Sequence, residues 1–173
     1  MPIHFEDTDF ISEVKGLRSA LIVPCRMCPA ATIAVREKKP FMELFKSLFK
    51  SQPFEQYLNT IQALLTENGV KSKVFGCTFY HQWFMCMWSL GTRKKLLKEA
   101  KQYDAVLVLG CSSATVTVRD TVKSIDCKVI EGMEAKSIMN AKLSFQLPCN
   151  VFFKDCKETP LVQQNTEKQE ILD

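Results

Sequence analysis

The chain has 173 residues, of which 46% are hydrophobic and 24% charged. That balance fits one globular domain with a buried core and excludes a low-complexity or disordered chain. With 23 basic and 19 acidic residues the net charge is +4, too small a bias to argue nucleic-acid binding, and no apolar run reaches the roughly 18–20 residues that span a bilayer.

Taken in chain order, residues 1–16 read as a short leader, polar and acidic at its start. They carry no signal-peptide pattern, which makes the cytoplasm the expected location. Residues 17–156 read as a single cysteine-rich α/β domain, and the polar segment 157–173 as a flexible tail. Within the domain, 20–23 is a short apolar strand ending at Pro24. Pro29 suits the first turn of a helix that 30–37 continues. Residues 39–50 place Phe41, Leu44, Phe45, Leu48 and Phe49 on one helical stripe. Residues 54–68 repeat the pattern with Tyr57, Leu58, Ile61, Leu64 and Leu65, and Gly69 stops that helix. A strand is predicted over 73–76 and a basic helix over 92–102. The strongest strand is 105–110, continuously apolar from Val106 to Leu109, as burial on both faces requires. Ser113 is a good N-cap for a helix over 114–123, and 128–131 and 150–153 are further strands. This alternation predicts an α/β fold, a Rossmann-like or flavodoxin-like three-layer sandwich with a mainly parallel sheet and right-handed crossovers.

Eight cysteines are many for a chain of this size, and in a reducing compartment they are not expected to form structural disulfides. They either pack as small hydrophobes or carry metal or redox chemistry. Position favours chemistry for three of them. Cys25, Cys77 and Cys111 each follow a predicted strand directly. In an open parallel sheet all three lie at the carboxyl edge, where such folds bind ligands. Cys28 adds a fourth thiol through the Cys25-x-x-Cys28 spacing of many metal and redox sites. Thiolates ligate iron–sulfur clusters and zinc, so these four are the candidate metal ligands, with the metal undecided between the two. His81 or Cys86, in the aromatic and Met-rich stretch from Phe79 to Trp88, would complete the coordination sphere. Ser112 and Ser113, in the turn after Cys111, are candidate cofactor-binding residues. The stretch 79–88 is itself the expected interface for a protein partner or a second copy. Cys127 falls at the opposite edge and reads as structural. Cys149 and Cys156 flank a late strand and would pack there or form a second pair. No GxGxxG, P-loop or GxSxG motif is present.

The stretch from Tyr103 to Cys111 (YDAVLVLGC), followed by Ser-Ser-Ala-Thr-Val-Thr-Val up to Val118, resembles the late half of the small cysteine-rich subunit of bacterial methylenetetrahydrofolate reductase. There a strand ends in a cysteine and runs into a small-residue turn and a helix. Glu37-Lys-Lys-Pro-Phe-Met-Glu-Leu44 is similar to that family's lysine–proline helix start. In the family this helix precedes the first strand and its cysteine pair, whereas here it follows Cys25 and Cys28, and the paired glycines after that cysteine pair are absent. The resemblance implies an iron–sulfur or zinc accessory subunit in electron transfer or one-carbon metabolism, rather than a stand-alone enzyme, with Cys111, Cys25 and Cys28 as the carried-over site residues. Two other functions fit the residues. One is a thioredoxin-like dithiol oxidoreductase using Cys25 and Cys28, with Leu147-Pro148 before a strand as its second element. The other is a non-catalytic binding domain with packed cysteines.

Overall fold

The structure is a computed structural model and describes residues 2–43, 51–76, 84–147 and 150–161. Its elements run β1 (Ile3–Asp7), α1 (Phe10–Val14), β2 (Ser19–Pro24), α2 (Cys28–Arg36), β3 (Met42–Glu43), α3 (Gln52–Glu67), β4 (Lys71–Val74), a 3-10 turn at Met85–Met87, α4 (Leu90–Ala100), β5 (Ala105–Leu109), α5 (Ser112–Val122), β6 (Lys128–Glu131), β7 (Met133–Gln146) and β8 (Asn150–Pro160). The eight strands among the described residues divide into two sheets. One is parallel, with order β4-β2-β5-β6, and the other is antiparallel, with order β1-β7-β8-β3.

The parallel sheet is apolar on both sides, and its side chains alternate between two cores. Ala20 and Ile22 of β2, Ala105, Leu107 and Leu109 of β5 and Ile130 of β6 pack with α1, α2 and α3. Leu21 and Val23, Val106 and Val108 pack instead with Leu96 and Ala100 of α4 and with Ala114, Val118 and Val122 of α5. β5 is fully buried along its length, and each of its Leu and Val side chains contributes roughly 1.5–3 kcal/mol of burial. At the foot of the sheet, the Asp104 carboxylate accepts hydrogen bonds from the Arg18 and Ser19 backbone N–H groups at 2.8 and 2.9 Å. That clamp fixes the start of β2 beside the start of β5.

The expectation of an α/β chain with a parallel sheet holds for four strands. The other four depart from it. Residues 1–16, read as a leader, hold β1 and α1. Phe5 and Val14 are fully buried, and β1 pairs with β7 from Ile3↔Ile138 to Asp7↔Met133. The strand expected over 150–153 extends to Pro160, into the segment read as tail, and lies in the antiparallel sheet. β7 itself was not foreseen. Its alternation puts Met133, Ser137 and Met139 inside, and this period of two is blurred by the polar Ser137 on the inward row and the apolar Ile138 on the outward row. Residues 39–43 are not helical, because Phe41 and Met42 turn into the core and β3 pairs with β8 at Met42↔Val151; the rest of that predicted helix, 44–50, lies outside the described residues. Ser113 is not the cap of α5. Cys111 holds that position in extended conformation, and Ser113 is already helical. The strand predicted over 73–76 sits two residues earlier, because Lys71 to Val74 register against Ser19 to Ile22.

Candidate functional site

In the parallel sheet β2 comes first in sequence but lies inside. β4 adds on one side of it, and β5 then β6 on the other. Strand order therefore reverses between β2 and β5, and the crevice outside their carboxyl ends is where such sheets take ligands. Cys25 follows β2 directly. Gly110 and Cys111 follow β5. The Cys25 backbone N–H donates to Leu109 O at 2.8 Å. A methyl group at Gly110 would stand 3.3 Å from Cys25 Cβ and 4.0 Å from Met85 Sδ, so Cys25 lies against the end of β5 with Met85 close by.

Two helices start at this crevice. α2 begins at Cys28, with Pro29 in its first turn, as the sequence predicts. α5 begins just after Cys111. Both N-termini favour negative charge on a nearby thiol. Burial opposes them. It pushes the Cys25 thiol up to about 11; hydrogen bonds from the backbone of Met85 and Met27 resist the shift, and the neighbouring thiols of Cys28 and Cys111 add to it. Cys28 is also raised, first by burial and further by Cys111 and Cys86, against a backbone hydrogen bond at Ile3. Cys25, Cys28 and Cys111 thus lie within electrostatic reach of one another, and Cys86 within reach of Cys28; Cys25 is buried, Cys28 and Cys111 are half-buried, and Cys86 is exposed. At neutral pH the metal-free thiols of Cys25 and Cys28 are protonated.

Among the described residues, no group of three or more His, Cys, Asp or Glu side chains is arranged to hold a metal ion. Cys77 and His81 lie outside the described residues, as does Cys149. β4 leads towards the same edge as β2 and β5, and Gly76 is the last described residue before Cys77. Ser112 and Ser113 are exposed at the first turn of α5 beside Cys111. Cys127 precedes β6 at the far edge, and Cys156 is on β8 in the other sheet. Of the stretch expected as an interface, residues 79–83 lie outside the described residues, and the described part, 84–88, splits. Trp88 is core, 6% exposed with its ring 5.6 Å from Phe75, and Met85 is fully buried, whereas Phe84 and Met87 are exposed.

Two parts of the site carried no signal in the sequence. Arg26, between the two cysteines, forms an ion pair with Glu55 in the first turn of α3, which ties the Cys25–Cys28 loop to that helix. Met85 seals Cys25 from one side, and a methionine in an aromatic run announces no such contact. Among the described residues, no helix is long and apolar enough to cross a membrane. Comparison with protein-family models, with curated proteins and with solved structures finds no match to this chain.

Proposed function

We propose that this chain binds a metal or an iron–sulfur centre through Cys25, Cys28, Cys111 and Cys77, with Cys86 as the reserve ligand, and serves as an accessory subunit in electron transfer or one-carbon metabolism. The observation that carries the reading is that Cys25 and Cys111 stand at the carboxyl ends of the adjacent strands β2 and β5, on either side of the point where strand order reverses, with Cys28 at the start of α2. The donor set suits soft or borderline metals. The N-termini of α2 and α5 add to this, because their positive ends favour the thiolate form in which cysteines hold a metal, and a bound cation would take the place of the thiol protons. The resemblance around Cys111 to the small cysteine-rich reductase subunit points the same way. Phe84, Met87 and Leu90, exposed by 42, 74 and 77%, flank Cys86 and would form the apolar centre of a partner's docking face.

The dithiol reading is weaker on physical grounds. A redox nucleophile is an accessible thiol with a lowered pKa, whereas Cys25 is 8% exposed and pushed upward. Anaerobic purification followed by elemental analysis and a visible spectrum tests the proposal. Broad charge-transfer absorption identifies a cluster, and zinc without colour identifies a zinc site. Cys111→Ser should lose the metal and melt at lower temperature, whereas Cys127→Ser should do neither. Equal metal content in wild type and Cys111→Ser would overturn the assignment.

A further inference from the structure

A second feature, independent of the thiol site, concerns the antiparallel sheet. β1 covers the outer edge of β7 only up to Ile138. From Asn140 to Gln146, about 23 Å of strand, that edge has no neighbour among the described strands. The inward row of β7 runs on along it. Met139 is fully buried, but Leu143 and Phe145 are 58 and 72% exposed, and Leu147 just beyond the strand is 94% exposed. Folded proteins blunt free edges with charge, proline, twist or cover. The outer edge of β8 has all of these: β3 covers it at Asn150 and Val151, and beyond lie Lys154, Asp155, Lys157 and Glu158, then Pro160, with Asp155 in left-handed conformation at φ 50° where the register shifts. The edge of β7 has a single charge, Lys142, and that charge pairs with Asp155 at 2.9 Å.

We propose that this edge is the surface on which two copies of the chain pair, β7 against β7 about a two-fold axis at Ser144. The segment is self-complementary in that register. Leu143 of one copy falls opposite Phe145 of the other, Ala141 opposite Leu147, and Lys142 opposite Gln146, so no like charges meet and the apolar residues share one face. Because the β8 edge is guarded, the pairing closes at two copies instead of growing into a filament.

Sedimentation velocity over a concentration series tests this, with hydrogen exchange of the peptide 140–147 as the second readout. Wild type should pass from monomer to dimer, and the peptide should gain protection as concentration rises. Leu143→Asp combined with Phe145→Asp changes two exposed side chains and should raise the dimer dissociation constant by about tenfold or more with the circular dichroism melt retained. The register has its own test on the polar face. Gln146→Glu sets a carboxylate opposite Lys142 of the other copy and should tighten the dimer. Lys142→Glu together with Gln146→Glu sets carboxylates opposite one another and should loosen it. A wild type that stays monomeric up to about 200 µM, well above the Kd of a specific dimer, overturns the proposal. So does a dimer indifferent to both sets of changes. Metal content is not affected in any of these outcomes.

Discussion

Gly110 sits where β5, α5 and Cys25 meet, and replacing it with alanine measures how tightly the crevice is packed. The added methyl would lie 2.8 Å from Ala114 Cβ and 3.3 Å from Cys25 Cβ. Neither neighbour can swing away. Ala114 has no rotamer to change, and it is 1% exposed in the first turn of α5, so relief requires moving the helix itself. Overpacking of this type costs about 1–3 kcal/mol, and the reduced freedom of the unfolded chain returns about 0.4–1 kcal/mol. The net loss is about 1–2 kcal/mol, equivalent to a fall in Tm of roughly 3–6 °C for a chain of this size. Gly91→Ala is the matched control. It lies in the first turn of α4, and its methyl would meet nothing nearer than Ser89 Oγ at 3.8 Å. Helix propensity then prevails, and Tm should rise by roughly 1–3 °C. Circular dichroism melts of the three proteins side by side are sufficient. If Gly110→Ala melts within about 1 °C of wild type, the crevice yields more readily than the packing argument allows, and the account of how Cys25 and α5 are held together is wrong.

Three further outcomes are expected. In metal-stripped protein, stability should fall between about pH 9 and pH 11, because the unfolded Cys25 thiol ionises near 9.0 while the folded one holds its proton to about 11; the loss is at most about 2–3 kcal/mol, and urea unfolding of Cys25→Ala should show a flatter decline. Asp104→Asn should lower Tm at neutral pH. The hydrogen bonds of the Arg18 and Ser19 backbone hold this carboxyl below its ordinary value of 3.8, so their stabilisation is present above that pH and fades on acidification, and the gap between wild type and variant should close as pH falls. Trp88→Ala should cost about 3–5 kcal/mol in urea titrations, since the ring is buried against Phe75, whereas Phe84→Ala, a few residues away and exposed, should stay within about 0.5 kcal/mol.

The parallel half of the molecule was legible because its signals are local and strong. Val106 to Leu109 must be buried on both faces, Pro29 marks a helix start, and Gly69 marks an end. Strand endings then located Cys25 and Cys111 without knowledge of strand order. The antiparallel half was not legible, for a different reason at each point. The core role of Phe5 depends on β7, which lies more than a hundred residues away. β7 alternates with the correct period but carries Ala, Ser and Asn where a strand usually shows β-branched or aromatic residues. Residues 39–43 fit a helical stripe by spacing alone, yet pairing of Met42 with Val151 prevailed over that local preference. The assignment of Ser113 as cap failed because the strand–turn–helix geometry needs the extended residue two positions earlier, at Cys111.

The reversal of strand order between β2 and β5 also sets a timetable. The crevice exists only once Ala105 to Leu109 has seated beside Ala20 to Pro24, so the Cys25–Cys28 pair leaves the ribosome about 80 residues before Cys111 does. At roughly 5–20 residues per second this amounts to about 4–16 s. During that time two thiols emerge without the strand and the helix that will later bury them. The interval is longest when translation is slow, and the thiols are then open to oxidation or to a mismatched metal. A protein built this way depends on a reducing environment at the moment of its synthesis more than at any later time.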